Sequence, residues 1–264
     1  MTDLFSPINL GGLELPNRII IPPMCQYTAE NGLVGSWHLM HYSNLAVSGA
    51  GLLIVEATSV EPEGRISPFD LGLWNDEQTA SHRGMISLIR DISRIPLAVQ
   101  LGHAGRKAST GQPWKGGKPL DAECGGWDVC APSADRYNPE HPVPKAMSQE
   151  DLARMANSFA AAAKRADAAG YDAIEVHAAH GYLLHQFLSP LANSRTDEYG
   201  GSLENRMRFP LEVFRAVRAA FPQNKPVGVR ISGSDFVQGG WDEESSIAFT
   251  NELEKLGCAF IHVS

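Results

Sequence analysis

Three side chains that can hold or move a proton follow a single apolar run, Ala173–Val176. They are His177, His180 and Tyr182. Residues three apart on a strand point to opposite faces, so the two histidines converge only if the chain turns directly after the strand. They could then bind a metal ion, for which no further ligand stands at a recognisable spacing, or donate hydrogen bonds to a substrate oxygen that gains negative charge. Tyr182 would stand close enough to supply a proton, which favours the second interpretation.

A thiol and a phenol, Cys25 and Tyr27, follow the first apolar run, Ile19–Ile21. Pro22 and Pro23 fix an extended exit from that strand, because proline holds its own φ and cannot donate to a ladder. Cys25 taken alone is typical of a small buried hydrophobic residue. Its position at a strand end, like that of the other polar residues described here, also suits an active site.

Three more residues at or near strand ends suit a flat, polar ligand. Ala57 follows the second apolar run and leaves room for close approach. The planar amide of Gln100 carries a donor and an acceptor, which can read the edge of a heterocycle or simply cap the strand. Arg230 lies within the fifth run, where a cation is costly unless an anion meets it. Either a structural carboxylate or an anionic cofactor ring would meet that need.

Short apolar runs alternate with longer amphipathic segments along the whole chain. The runs are Ile19–Ile21, Leu52–Val55, Leu97–Val99, Ala173–Val176, Val227–Ile231 and Ala259–Val263. Nearly continuous Val, Ile, Leu and Ala is typical of parallel strands that are covered on both faces. Repeated βαβ units fit both a doubly wound sheet and a barrel. The chemically unusual residues cluster after the carboxyl ends of several strands, which favours an α/β barrel.

Two of the segments between the strands carry clear helix signals. Asn75 and Ser148 are predicted N-caps, and Gly170 is predicted to end the second helix. Apolar residues at helical spacing follow the two caps: Met85, Leu88, Ile89 and Ile92 after the first, and Leu152, Met155 and Phe159 after the second. Each set is predicted to form the apolar face of its helix.

Residues 103–147, between the third and fourth strands, form an unusually long connection. They are rich in Gly, Pro and polar residues, and they include Trp114 and Trp127. A loop of this length in a compact domain is typical of an active-site lid, so we describe it as a lid-like insertion. A surface excursion that covers one end of the barrel explains the composition equally well.

The composition excludes several classes of protein. Lysine and arginine total 22 against 30 acidic residues, and the net charge of −8 over 264 residues suits neither nucleic acid nor an anionic membrane surface. No apolar stretch is long enough to span a membrane, and the start, Met1–Leu4, lacks the pattern of a signal peptide. The four cysteines show no zinc or CxxC spacing and are expected to be free thiols of a cytoplasmic protein.

Together these residues resemble the Old Yellow Enzyme family. The resemblance rests on the motifs Pro23-Met24-Cys25-Gln26-Tyr27, Gln100-x-x-His103-Ala104-Gly105-Arg106-Lys107, His177-x-x-His180-Gly181-Tyr182, Arg230 and the segment from Asn193 to Arg206. Cys25 with Tyr27, and a pair of histidines, resemble the bacterial branch that is called thermophilic-like. The resemblance extends over essentially all 264 residues.

The resemblance implies a TIM (β/α)8 barrel that binds FMN without a covalent bond. NADPH or NADH would reduce the flavin, and hydride would then pass to the β-carbon of an α,β-unsaturated carbonyl compound. Tyr182 would protonate the α-carbon of that compound. The expected partners are therefore a small enone-type substrate and further copies of the chain, as a dimer or a tetramer.

The resemblance also implies a role for each site residue. Contacts to the flavin are expected from Pro23, Met24, Cys25, Ala57, Gln100 and Arg230. Tyr27 and Lys107 would line the substrate pocket, and His177 and His180 would hold the carbonyl oxygen of the substrate. The expected catalytic residues are Tyr182, His177, His180 and Cys25, the last through its effect on the potential of the ring. No metal ion is expected.

The chain ends at Ser264, within the sixth predicted strand. Residues 1–264 are therefore expected to form a single FMN-binding domain with about six βα units, incomplete at its C-terminal end, where a barrel of this kind binds phosphate. Relatives of the dienoyl-CoA reductase and trimethylamine dehydrogenase type, with an iron–sulfur cluster beyond Ser264, are the nearest alternative. A metal-dependent barrel hydrolase that uses His177 and His180, and a non-catalytic remnant, are the alternatives from other classes.

Overall fold

The computed structural model describes residues 3–264. Met1 and Thr2, part of the segment compared above with signal peptides, lie outside the described residues. In chain order the strands and α-helices are β1 (Ile8–Leu10), β2 (Leu13–Leu15), β3 (Ile20–Ile21), α1 (Ser36–Ala46), β4 (Leu52–Ser59), α2 (Asp76–Ile92), β5 (Leu97–Gly102), β6 (Cys130–Ala131), β7 (Lys145–Ala146), α3 (Gln149–Ala169), β8 (Ala173–Ala178), α4 (Leu183–Leu188), α5 (Leu203–Ala220), β9 (Val227–Ile231), α6 (Glu243–Lys255) and β10 (Ile261–Val263).

Six of these strands form one parallel sheet, in the order β3, β4, β5, β8, β9 and β10. All six strands that the apolar runs predict are confirmed. The order follows the chain without a reversal, whereas a doubly wound sheet changes direction at a switch point. Singly wound βαβ units are the arrangement of a barrel, so the predicted (β/α)8 class is confirmed, with six of its strands in this chain.

Helix α3 follows its predicted pattern along its whole length. The Ser148 side chain accepts a hydrogen bond from the backbone N–H of Asp151, and Gly170 ends the helix with a φ of +104°. The three apolar residues Leu152, Met155 and Phe159 are all buried. The face that they form packs toward β5 and the neighbouring helices α2 and α5. None of the helices within residues 3–264 is long and apolar enough to cross a membrane.

Helix α2 begins at the predicted cap, but its buried face is not the predicted one. Asn75 accepts from the N–H of Gln78, as expected of an N-cap. Met85 and Ile89 are buried, whereas Leu88 and Ile92 are 50% and 56% exposed. The prediction for the latter two was therefore wrong. The buried face of α2 also includes polar residues such as Gln78. A prediction from apolar residues alone therefore assigned the buried face to the wrong side of the helix in part.

The N-terminal hairpin of β1 and β2 was not predicted. Its strands pair antiparallel over three residues each, which is too short to show a clear alternation. Leu15 is buried and joins Leu52, Ile54 and Ala98 in a small apolar cluster at the amino ends of the barrel strands. The hairpin thus covers the end of the barrel opposite the one that carries the chemically interesting residues.

Helices α1 and α4 were also missed, for two different reasons. The buried residues of α1 include His38 and Tyr42, so the buried face carries polar atoms and gives no apolar stripe. All six residues of α4, Leu183–Leu188, are buried, so no difference between two faces marks the helix. Sequence periodicity detects a helix only where one face is apolar and the other is polar.

His82 of α2 lies inside this core with both ring nitrogens in use. Its Nε2 is 3.2 Å from the carbonyl oxygen of Gly72, which can only accept, so Nε2 carries the proton. Its Nδ1 is 2.7 Å from the hydroxyl of Tyr171, which therefore donates. Burial lowers the pKa of His82 from 6.5 to about 4, so the ring is neutral at neutral pH.

We predict that His82→Gln makes stability less dependent on pH between 7 and 5. The unfolded chain binds a proton at this residue below about pH 6.5 and the folded chain only near pH 4. Stability therefore falls as pH falls through that window, by on the order of 2 kcal/mol for this ring. Urea unfolding of both proteins at pH 7 and pH 5 measures the difference. Equal losses of unfolding free energy in the two proteins would contradict the prediction.

Candidate active site

The predicted site residues lie at the carboxyl end of the sheet, on or just after five different strands. Strand β3 leads to Cys25 and Tyr27, β4 carries Ala57, β5 carries Gln100 and leads to Lys107, β8 carries His177 and leads to His180 and Tyr182, and β9 carries Arg230. The carboxyl ends of parallel strands in a barrel meet at one face, so these side chains share a single open surface.

The two histidines converge through a sharp turn directly after β8, as the sequence predicts. His180 has a φ of +61° and Gly181 a φ of +70°, both in the left-handed region. The ring centroids of His177 and His180 are 5.1 Å apart. The ring of Tyr182 lies 5.0 Å from that of His177 and 6.5 Å from that of His180. The turn thus gathers two imidazoles and a phenol into one cluster.

Both histidines of this cluster are neutral at neutral pH. Burial lowers the pKa of His177 well below its ordinary value, and the charges of His180 and Arg230 lower it further. Burial and the charge of Arg230 lower the pKa of His180 to about 4. The Nδ1 of His177 accepts from the N–H of Ala179 at 3.3 Å, so its proton is on Nε2. Each neutral ring therefore carries one N–H. The Nε2 of His180 lies 2.7 Å from the hydroxyl of Ser264.

Tyr182 keeps its proton firmly and lies beside a cation. Burial raises the pKa of Tyr182 well above its usual range, and Cys25 and Tyr27 add to this. The Lys107 Nζ is 5.0 Å from the centroid of the Tyr182 ring and 4.9 Å from that of Tyr137. Lys107 also donates to the carbonyl oxygen of His180 at 2.9 Å. The ammonium group thus stands between two phenols and holds the turn that carries one of them.

The segment with Cys25 is fixed by a buried carboxyl group that the sequence analysis missed. Glu56 Oε2 accepts from the N–H of Gln26 at 2.8 Å, and Oε1 accepts from the Tyr42 hydroxyl at 2.9 Å. Burial raises the pKa of Glu56 to about 8. Burial, with Asp70 and Glu56, also raises the pKa of Cys25 well above its ordinary value, so Cys25 is a thiol. A charged residue within an apolar strand was the available signal, as it was for Arg230.

The insertion of residues 103–147 contacts the site at Tyr27. Tyr27 has a φ of +53°, and its carbonyl oxygen accepts from Nε2 of Gln112 at 2.8 Å. The ring of Trp114 meets that of Tyr27 edge-on at 5.9 Å. The insertion also contributes Tyr137, the second phenol beside Lys107. No spacing or pattern in the sequence distinguishes Gln112 or Tyr137 from the other polar residues of the insertion.

Gln100 and Arg230 differ in how far the protein itself satisfies them. The Gln100 Nε2 donates to Glu175 Oε1 at 2.7 Å, and Glu175 Oε2 is 2.9 Å from His262 Nδ1. Arg230 donates to the hydroxyl of Ser264 at 3.2 Å, but its buried Nε has no partner. Within the described part of the chain, no carboxylate pairs with Arg230. A structural carboxylate therefore does not explain this cation, which leaves it available to an anionic ligand.

The remaining predicted contacts form the border of the same surface. Pro23 is buried, Met24 is exposed, and Ala57 is half-buried at the end of β4. Among residues 3–264, no three His, Cys, Asp or Glu side chains are grouped so that they could hold a metal ion. Within this part of the chain, His177 and His180 therefore have no further protein ligand of the kind that a metal site needs. The arrangement combines neutral N–H donors, a protonated phenol and an unpaired cation around an open surface.

Comparisons with known proteins find relatives along essentially the whole chain. The family model described as the NADH:flavin oxidoreductase / NADH oxidase family matches residues 3–264. A NADH:flavin oxidoreductase of Gibberella zeae is 43% identical over 277 residues, which cover 100% of this chain and 67% of that protein. The NADPH dehydrogenase of Bacillus subtilis is 40% identical over 263 residues, which cover 99% of this chain and 72% of that protein.

Solved structures resemble the fold equally well. Morphinone reductase in complex with tetrahydroNAD superimposes with a TM-score of 0.86 at 33% identity, over 100% of this chain and 74% of that one. An Old Yellow Enzyme homologue from Zymomonas mobilis gives a TM-score of 0.85 at 29% identity, over 99% of this chain and 73% of that one. The matched regions thus span between 67% and 74% of the length of these four relatives.

Proposed function

The chain belongs to the NADH:flavin oxidoreductase / NADH oxidase family, and within that family we propose that it is an ene-reductase for α,β-unsaturated carbonyl compounds. Membership makes it an NAD(P)H-dependent flavin oxidoreductase of the Old Yellow Enzyme type, with non-covalent FMN as cofactor. The observation that carries the proposal is the cluster of His177, His180 and Tyr182.

The residues at the carboxyl end of the sheet fit the ring of FMN. Arg230 has a buried Nε without a partner and no carboxylate beside it among residues 3–264, so an anionic ring would satisfy it. We assign further contacts to Pro23, Met24, Cys25, Ala57 and Gln100. FMN, when bound, supplies the hydride that it has taken from NADPH or NADH.

The two neutral imidazoles suit a carbonyl oxygen. An enone gains negative charge on this oxygen as its β-carbon accepts hydride, and N–H donors fixed in advance stabilise that charge. The low pKa values of His177 and His180 keep them as neutral donors at neutral pH. Because a neutral donor does not titrate near pH 7, this function is insensitive to pH in that range.

Tyr182 suits the role of proton donor to the α-carbon. Its raised pKa means that the hydroxyl carries its proton at neutral pH. Once the O–H bond breaks and the proton passes to the α-carbon, the phenolate is stabilised by Lys107, whose Nζ is 5.0 Å from the ring. We assign Tyr27 and Lys107 to the lining of the substrate pocket. The insertion of residues 103–147 contacts Tyr27, and we propose that it is a lid over this pocket.

A two-step optical experiment tests the proposed function. The purified protein, supplied with FMN, is expected to show a two-band flavin spectrum that NADPH bleaches without oxygen and that an enone such as 2-cyclohexenone restores. A flavin that NADPH reduces but no enone reoxidises would refute the ene-reductase proposal while leaving the family intact. Gel filtration of the same sample tests the expected dimer or tetramer.

We predict that Tyr182→Phe slows reoxidation by enone about a hundredfold or more, the usual effect of losing a general acid. Reduction of the flavin by NADPH should change less than about twofold, because that step needs no proton from this hydroxyl. Stopped-flow absorbance measures both half-reactions separately. Tyr199→Phe, which removes a phenol hydroxyl near Glu212 on the helical side, is the matched control. Equal losses in the two half-reactions would rule out the assigned role.

We predict that Arg230→Met lowers the midpoint potential of the bound flavin by a few tens of millivolts. A nearby cation stabilises the negatively charged reduced ring, and an interaction of about 1–2 kcal/mol corresponds to a shift of this size for two electrons. Arg230→Lys retains the charge and should shift the potential much less. Equilibration with a reference dye gives the potentials. An unchanged potential in Arg230→Met would show that the guanidinium does not face the ring.

A further inference from the structure

The turn that carries His180 and Tyr182 is held by side chains on all four of its central backbone groups. His180 N–H donates to Ser232 Oγ at 2.9 Å, and the His180 carbonyl accepts from Lys107 Nζ, also at 2.9 Å. Gly181 N–H donates to His185 Nδ1 at 2.8 Å, and the Gly181 carbonyl accepts from Gln186 Nε2 at 2.7 Å. A left-handed His180 is unfavourable by itself, so these bonds must maintain it.

The contact from His185 is special because it depends on the tautomer of a ring. His185 is buried, and its Nδ1 can accept from Gly181 only while Nδ1 carries no proton. The proton of the neutral ring must then be on Nε2. With the proton on Nδ1 instead, two N–H groups would face each other and the turn would lose its acceptor.

A carboxylate beyond His185 selects that tautomer. Asp235, in the loop after β9, places Oδ1 3.2 Å from the Nε2 of His185. This is an ion-pair distance without the alignment of a hydrogen bond, so the attraction between the two groups is electrostatic. Its Oδ2 accepts from the Ser189 hydroxyl at 2.7 Å and from the N–H of Trp241 at 2.8 Å. Burial alone would raise the pKa of Asp235, but these neighbours outweigh it and hold the pKa at about 2. Asp235 is therefore an anion across the working pH range and attracts a proton to the facing nitrogen.

We propose that Asp235 is a positioning residue: it holds His185 as the Nε2–H tautomer, and His185 in turn holds the Gly181 turn that aims His180 and Tyr182. This inference rests on the proposed function only for its catalytic consequence. The carboxylate does not touch the substrate surface itself. It acts through the ring of His185, in the way that a carboxylate commonly orients a functional histidine.

The first test reads the tautomer and needs no activity. Nitrogen NMR of the purified protein with ¹⁵N-labelled histidine distinguishes a protonated from an unprotonated ring nitrogen, and His185→Asn identifies the His185 signals by their loss. We expect the Nε2–H form in the parent protein. In Asp235→Asn, the N–H of Trp241 retains the amide oxygen and turns the amide nitrogen toward His185, so the Nδ1–H form should become populated. An unchanged tautomer in Asp235→Asn would overturn the proposal.

The second test is a double-mutant cycle on the enone half-reaction. In His185→Asn, the amide oxygen of the new side chain can take the place of Nδ1 and accept from Gly181 without any tautomer. We expect Asp235→Asn to slow reoxidation by enone about tenfold in the parent protein and less than about twofold in the His185→Asn background. A tenfold loss in both backgrounds would mean that Asp235 acts through its loop rather than through His185, which would overturn the proposal.

Two further variants separate positioning from general destabilisation. Ser189→Ala removes one of the other partners of Asp235 and leaves the contact with His185, so the tautomer and the reoxidation rate should stay as in the parent protein. His185→Leu fills the same space with an apolar side chain that offers no acceptor. Its reoxidation by enone should be slower than that of His185→Asn at equal thermal stability. Should the parent protein reduce no enone, the proposed function fails, and the NMR measurement still decides the link between Asp235 and His185.

Discussion

The site depends on one backbone constraint, the left-handed turn at His180 and Gly181. Side chains three apart on a continuous strand would point to opposite faces, so His177 and His180 could never bind the same atom without it. With φ values of +61° and +70°, the turn brings both rings within 5.1 Å and adds Tyr182. The surrounding side chains satisfy the backbone groups of the turn and so maintain its unfavourable conformation.

Burial is the main cause of the pKa shifts in the site. His177, His180, Tyr182 and Cys25 all shift toward their neutral forms, because burial penalises the charged form of each. Against this neutral background stand two cations, Lys107 beside the phenol and Arg230 in β9. In the proposed function, each would lie where negative charge develops, Lys107 beside the proton donor and Arg230 beside the flavin ring.

Neighbouring loops hold the site together. In the loop after β9, Ser232 accepts from the backbone N–H of His180 and Asp235 faces His185. The loop that follows the strand with Arg230 therefore also stabilises the turn after β8. Across the open surface, Glu56 within β4 and Gln112 of the insertion hold the segment with Cys25 and Tyr27. The parallel sheet brings the strand ends to one face, and these contacts orient the side chains of the site.

The sequence by itself determined the six strands and the capped helix α3, because buried parallel strands and an amphipathic helix leave local patterns. It also pointed to the polar residues at the strand ends, which the fold brings to one face of the sheet. It misplaced the buried face of α2 and missed α1 and α4, where polar burial or complete burial removes the pattern. Gln112, Tyr137 and Asp235 came to attention only through tertiary contacts with distant segments, such as Gln112 with Tyr27, 85 residues away. The charge of Glu56 within an apolar strand was a signal, but its contact with Gln26, 30 residues away, was not. A hydrogen bond between distant segments leaves no periodicity in either one, so only the folded chain could reveal it.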